Sequence, residues 1–190
     1  MRWDAAAIDV ALFSVFALHH SVFARDAIKV RLARLVPERL LRSVYVWTAS
    51  ILLILVCVLW RPVGGNLYDV GGVRAYLHAL VQLAGLWLIA RSVRVIDALE
   101  LAGIHNDPAR TTLQMTGPYR WIRHPVYLGW ILAAFGAAHM TGDRLAFAAI
   151  SSLYLVAAIP LEERSLTRAF PDAYRAYQRQ VRWRVVPYVY

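Results

Sequence analysis

At 190 residues, 59% hydrophobic and only 17% charged, the chain is too apolar for an ordinary soluble domain, and its mean hydropathy of +0.47 points to a helical membrane protein. The net charge of +9 is divided among apolar runs rather than gathered on one face, which excludes a nucleic-acid surface as the reason for the cations. The single cysteine, Cys57, excludes an internal disulfide framework and a cysteine-rich metal site.

Five apolar segments read as helices, over residues 6–24, 44–60, 75–96, 126–140 and 145–161. The first has neither a basic leader nor a cleavage site, so it reads as a retained helix and not as a signal peptide. A bilayer core of about 30 Å needs roughly 20 helical residues. The first three segments meet that length. The last two are shorter and joined only by Thr141-Gly142-Asp143-Arg144, which predicts a tight helical hairpin, with a re-entrant hairpin as the alternative. With five spans and the N-terminus outside, all but Arg2, Arg61, Arg74 and Arg144 of the 21 Lys and Arg face the cytoplasm. The positive-inside rule therefore orients the chain N-out and C-in, in the cell's inner membrane.

That topology gathers polar residues at one leaflet. The end of the first span carries His19, His20 and Ser21, and the end of the third carries Arg91, Ser92, Arg94 and Asp97. Ionisable residues at membrane depth are costly and tend to be functional, though at helix ends they also snorkel to the interface. Adjacent residues point about 100° apart on a helix, so His19 and His20 make no metal clamp and at most one of them lines a site. Gly64-Gly65 and Gly71-Gly72 read as turns on the outer side and match no phosphate-binding fingerprint.

The stretch Gly117-Pro-Tyr-Arg-Trp-Ile-Arg-His-Pro-Val-Tyr127 follows. Each proline pre-sets φ for a first helical turn, predicting a short helix from Pro118 and a longer one from Pro125 with His124 at the junction. A helix N-terminus beside Arg123 and His124 suits an anionic ligand; contact with lipid phosphates is the alternative, for Arg120 above all. Within the fourth segment, Gly129, Ala133 and Ala137 form a small-residue stripe that predicts close packing on the fifth. After residue 161 the chain reads as leaving the membrane through Glu162-Glu163-Arg164. Pro171 then restarts a helix whose Phe170, Tyr174, Tyr177 and Val181 oppose Arg175, Arg179 and Arg182. This is an amphipathic interfacial helix, or a lid over a site at the membrane surface. No repeat or linker divides residues 1–190, which read as one domain.

No G-x-S-x-G elbow, H-E-x-x-H pair, cysteine nucleophile or P-loop is present. An anion corner, an acidic pair and several tyrosines remain, reachable from cytosol and lipid. Such a set fits a ligand with carboxylate, amine and ring parts meeting a lipophilic partner.

The run from Gly117 through Trp130 resembles the signature of the isoprenylcysteine carboxyl methyltransferase family of integral membrane methyltransferases. Glu162-Glu-Arg-Ser-Leu, Phe170-Pro-Asp-Ala-Tyr-Arg-Ala-Tyr177 and Arg184-Val-Val-Pro187 are similar to its second signature. Together they cover about the last 80 residues. The N-terminal half, with Leu18-His-His-Ser-Val-Phe-Ala-Arg25, Arg42-Ser-Val-Tyr45 and Trp60-Arg-Pro62, more resembles a bacterial branch that includes methanethiol S-methyltransferases.

The resemblance implies S-adenosylmethionine as methyl donor, bound near the cytosolic surface without a dinucleotide-binding domain. Carried over by motif position, cofactor contacts fall on residues 111–114, with Leu113 and Gln114, then on Tyr119, Arg123, His124, Pro125, Val126 and Tyr127, and on Glu162 and Glu163. The chemistry of the residues agrees: His124 and its helix N-terminus suit the methionine carboxylate, Glu162 or Glu163 the ammonium or ribose hydroxyls, and the tyrosines the adenine or sulfonium. Methyl transfer from a sulfonium releases a neutral group, so alignment and water exclusion carry most of the catalysis. A thiol acceptor, with a reference pKa of about 8.5, gains from deprotonation by a nearby cation or base, a role open to His19 or His20. Carboxyl-methylating members carry an arginine one helical turn before the acidic pair, whereas this chain has Ala158. The departure favours a small or lipophilic thiol over a prenylcysteine carboxylate, with Arg91 or Arg94 of the third segment as the alternative source of a carboxylate-gripping cation. A reductase using NADPH, and a non-catalytic accessory membrane protein, are the competing readings.

Overall fold

The computed structural model describes residues 2–23, 26–96 and 113–190. The chain falls into two compact units: residues 1–64 with 97–110, and residues 65–96 with 111–190. The boundaries fall between the predicted spans, two in the first unit and three in the second, and each unit is taken by itself below.

The first unit contains α1 (Trp3–Phe23), a short α2 (Asp26–Leu32) that the apolar pattern did not announce, and α3 (Glu38–Leu59). Both long helices have the length and apolarity to cross a bilayer, and Leu18, Trp47, Ile54 and Val58 are exposed, as lipid-facing side chains are. The end of α3 is tied to α1 by polar groups. Asp9, fully buried, accepts the Arg61 N–H at 2.8 Å through Oδ1, and the Arg2 N–H donates to Val63 O at 3.0 Å.

The second unit begins with β1 (Asn66–Asp69), followed by α4 (Gly72–Ile96). It continues with a 3-10 helix (Gly117–Arg120), α5 (Pro125–Phe135), β2 (His139–Thr141), α6 (Gly142–Ala169) and α7 (Pro171–Gln180). Helices α4 and α6 are long and apolar enough to span. The fourth predicted segment is not a helix to residue 140: α5 ends at Phe135. Its 11 residues rise about 16 Å, half of a hydrocarbon core of about 30 Å. Beyond α5 come a turn at Gly136, a bend and then β2, which pairs antiparallel with β1 through Asn66–Thr141, Tyr68–Met140 and Asp69–His139. Non-helical backbone is tolerated in a membrane protein where other protein groups satisfy it. Here Gln82 Nε2 donates to Ala133 O at 2.9 Å, His78 Nδ1 to Gly136 O at 3.2 Å, and the Val70 N–H to Ala138 O at 3.0 Å. These contacts follow α4 from its middle to its N-terminal end, so α5 and the residues after it run antiparallel to that part of α4.

The small-residue stripe on α5 faces α4 and not α6, which corrects the expected partner. A Cβ built on Gly85 would lie 2.6 Å from both Ala133 N and Gly129 O, and one on Gly129 would lie 2.7 Å from Gly85 O. Two glycines set opposite each other remove both Cβ atoms at the crossing, whereas the one glycine of α6, Gly142, is its first residue. Toward α6, α5 instead presents Trp130, whose Nε1 donates to Ser151 Oγ at 2.9 Å and whose ring packs on Phe147. We expect Gly85→Ala to destabilise the protein by about 1–3 kcal/mol, because backbone must move to admit one methyl group. Gly71→Ala, with nothing within 4 Å of the new Cβ, is the control and should shift stability by less than about 0.5 kcal/mol. Thermal unfolding of the two variants in one detergent checks this.

Helix α6 also departs from its prediction. It does not stop at residue 161 but continues unbroken to Ala169, across the interior Pro160. Glu162 and Glu163 therefore lie within a helix and point about 100° apart. Helix α7 has the predicted amphipathic pattern, with Tyr174, Tyr177 and Val181 buried and Arg175, Arg179 and Arg182 exposed. Its apolar face packs on Leu113, Leu166 and Phe170 of the protein itself.

Candidate functional site

The stretch 117–127 folds as its prolines require. Pro118 starts the 3-10 helix, Pro125 starts α5, and His124 is the residue preceding that helix, with φ −123° and ψ 63°. Gly117, at φ +59°, makes the turn into this corner with its Cα side 3.2 Å from Val95 were a Cβ present. Residues 111 and 112 of the expected cofactor segment lie outside the described residues, as do Asp97 and Arg110.

The two glutamates divide into different environments. Glu163 has a side chain only 7% exposed. Its Oε1 accepts from Arg123 Nε at 2.7 Å and lies 3.4 Å from His124 Nε2. Its Oε2 lies 3.3 Å from Arg184 Nε and 3.5 Å from Gln178 Nε2. Glu162, one residue earlier, has a side chain 44% exposed. The Tyr127 hydroxyl donates to its Oε1, and His124 Nδ1 is 3.5 Å from its Oε2. The buried His124 ring thus sits between the two carboxylates and stacks on Tyr127, with centroids 5.2 Å apart.

Arg123 is not an open cation. Its NH1 donates to Val181 O and Arg182 O at 2.8 and 2.9 Å, while the backbone N–H groups of Arg123 and His124 donate to Trp183 O and Arg184 O at 2.9 and 2.8 Å. The Arg123 guanidinium and the two N–H groups just before the helix, which were part of the apparent anion site, are therefore satisfied by the chain's own tail. Arg123 acts as a clasp holding residues 181–184 against the corner, with Glu163 as its counter-ion. What the tail leaves for an anion is the His124 side chain and the first turn of α5.

The tail helix completes the clasp. Tyr177 donates its hydroxyl to Tyr119 O at 2.7 Å. Burial raises the Tyr177 hydroxyl to about 12 and lifts Tyr119 and Tyr174 well above the ordinary tyrosine range. All three stay neutral at physiological pH. Since the fold holds the Tyr177 proton more tightly than the unfolded chain does, its stabilisation is complete below 10.0 and is lost as pH rises toward about 12. We expect tail packing to be constant from neutral pH to pH ~9 and to weaken above pH ~10, read by protease release of the tail across an alkaline series.

The remaining predicted residues are placed as follows. Leu113 and Gln114 are half-buried, Leu113 against the Tyr174–Tyr177–Val181 cluster. Pro125 is buried and Val126 half-buried at the start of α5. Arg91 is exposed on α4, next to a fully buried Ser92 whose hydroxyl donates to Leu88 O. His20 belongs to the first unit, where its Nδ1 is 2.9 Å from the Tyr45 hydroxyl, which also contacts the His20 carbonyl at 3.2 Å. Sequence reasoning did not foresee the clasp. Its only signal was the coupling of two basic residues 61 positions apart, Arg123 and Arg184, to a single glutamate. Tyr45 was equally unforeseen as the partner of His20. Among the described residues no group of three or more His, Cys, Asp or Glu could hold a metal ion.

Comparison with known proteins bears on this arrangement. The family model described as "Isoprenylcysteine carboxyl methyltransferase (ICMT) family" matches residues 83–168, which include α5 and most of α6. Methanethiol S-methyltransferase 1 of Bradyrhizobium diazoefficiens is 35% identical over 94% of this chain and 66% of its own length. Methanethiol S-methyltransferase of Crocosphaera subtropica is 34% identical over 93% of this chain and 73% of its own, and that of Mycobacterium tuberculosis 35% identical over 94% and 77%. The chain thus spans about two thirds to three quarters of the length of these relatives. No solved structure matches it.

Proposed function

The chain belongs to the isoprenylcysteine carboxyl methyltransferase family, a family of methyl-transferring enzymes, and on that premise we propose that it is a membrane methyltransferase that uses S-adenosylmethionine to methylate a small or lipophilic thiol. The observation that carries this reading is the asymmetry of the acidic pair. Glu163 is saturated by Arg123, Arg184, His124 and Gln178, whereas Glu162 keeps an accessible carboxylate beside His124 and Tyr127.

The residues present fit this cofactor. Glu162 would hold the ammonium or ribose hydroxyls, His124 the carboxylate, and the tyrosine rings of Tyr119 and Tyr127 the adenine or sulfonium. Leu113, Gln114, Pro125 and Val126 would line the pocket walls, and Arg123 and Glu163 would contribute by fixing His124. Bound there, S-adenosylmethionine supplies an electrophilic methyl group. The protein's part is to align the acceptor and exclude water, for which the tail clasp over His124 is suited.

Several points favour a thiol acceptor. The relatives named above are methanethiol S-methyltransferases. Ala158 lies one turn before Glu162 on α6, where an arginine would be needed to grip a substrate carboxylate. A thiol becomes a strong nucleophile once deprotonated, and within the first unit His20, held by Tyr45, is the proposed base; Arg91, on α4 of the second unit, is a separate acceptor-side candidate. The proposed setting is the inner membrane, N-terminus outside and C-terminus cytoplasmic, from the distribution of Lys and Arg.

The test is a comparison of thermal shifts of the detergent-solubilised protein with S-adenosylmethionine and with NADPH. The reading expects the methyl donor to raise the melting temperature and NADPH to leave it unchanged. Stabilisation by NADPH alone would transfer the site to a reductase, and stabilisation by neither would leave an accessory scaffold.

A further inference from the structure

The outer surface of the clasp carries side chains that neither the fold nor the proposed chemistry uses. Trp121, two residues before Arg123, is 78% exposed. Residues 184–190 form a closed loop in which the N–H groups of Arg184, Val185 and Val186 all donate to Tyr190 O, and those of Val189 and Tyr190 to Val186 O. At its tip, Tyr188 has φ +65°, the one positive value for a non-glycine among the described residues. A left-handed conformation is unfavourable for a bulky residue and points to a constraint worth explaining. What it achieves here is presentation: Tyr188 is 86% exposed and Val189 78%, while Val185, in the same loop, is buried.

Trp183 ties two of these segments together: its carbonyl accepts from the Arg123 N–H, two residues after Trp121, and its ring lies 5.1 Å from that of Tyr188. The adjoining segments carry exposed Arg120, Arg175, Arg179 and Arg182, and the one acid on α7 is Asp172. Arg175 and Arg179 lie one helical turn apart on the side of α7 away from buried Tyr174 and Tyr177, and Arg182 is exposed just past the helix end.

We infer that this surface docks on the headgroup layer of an anionic leaflet: Trp121, Tyr188 and Val189 enter the interface, and Arg120, Arg175, Arg179 and Arg182 contact lipid phosphates. Tryptophan and tyrosine are the residues suited to that depth, and clustered arginines are drawn to anionic lipid. An acidic protein partner would match the charge but would not explain an apolar tip next to spans that end in a bilayer. Because residues 181–184 hold the clasp, lipid charge would also steady the segment that covers His124. The inference stands apart from the methyltransferase reading and needs no activity to test.

The experiment is hydrogen exchange of residues 181–190 in the full chain, reconstituted in nanodiscs of phosphatidylcholine alone or mixed with phosphatidylglycerol. Exchange should slow about fivefold or more in the mixed discs at low salt. High salt, or the surface substitutions Arg175→Gln and Arg179→Gln together, should remove most of that difference, and Tyr188→Ser with Val189→Ser should speed exchange in both compositions. Equal exchange in the two compositions would overturn the inference, as would a difference that survives the double arginine variant.

Discussion

Replacing Glu162 with alanine is expected to weaken S-adenosylmethionine binding by about 100-fold while lowering stability by only about 1 kcal/mol. The carboxylate is half exposed, so its removal leaves no buried cation stranded, and the Tyr127 hydroxyl is the main group to lose a partner. A positively charged ligand group that loses its counter-ion in a partly desolvated site forfeits about 2–5 kcal/mol, which is the origin of the expected change in affinity. Calorimetric titration of the detergent-solubilised variant, beside its thermal unfolding, measures both quantities. A variant that binds the cofactor as the parent does would remove Glu162 from the site.

The neighbouring substitution should behave in the opposite way. Glu163→Ala strips the counter-ion from Arg123, whose side chain is 8% exposed, and from Arg184. Breaking a buried pair by removing one partner destabilises by about 3–5 kcal/mol, since the stranded charge stays desolvated. The tail should then come loose first, because Arg123 also holds Val181 O and Arg182 O. A large fall in melting temperature with early protease cleavage near residue 181 is the expected result. Glu163→Gln, which keeps an acceptor but no charge, should fall between the two. If Glu163→Ala melted like the parent, the clasp would not be a stabilising feature.

The contrast between these two adjacent residues also marks the limit of what the sequence made legible. Helix starts at Pro118 and Pro125 and the restart at Pro171 were readable because proline fixes its own φ and needs no tertiary context. The amphipathic pattern of α7 was equally plain from its spacing. What lay beyond reach depended on partners distant in the chain. The early end of α5 rests on Gln82, His78 and strand β1, none of which is local to residues 126–140. The stripe of Gly129, Ala133 and Ala137 announced a close crossing, but only Gly85 on α4 decided with whom. In the site, motif position brought His124, Tyr127, Glu162 and Glu163 to one place and could not say that Arg123 and Glu163 neutralise each other. Nor could charge counting show that the tail's own carbonyls occupy the two N–H groups just before the helix start that looked ready for an anion.

The measurement that tests the central claim most directly is transfer of a labelled methyl group from S-adenosylmethionine by the reconstituted chain, across a panel of small thiols, prenylcysteine analogues, phenols and phospholipid amines. The account predicts label on small or lipophilic thiols, lost in His124→Ala and Glu162→Ala, and none on a prenylcysteine carboxylate. Label on the prenylcysteine carboxylate in preference to thiols, or on no acceptor at all while the protein remains folded, would contradict it.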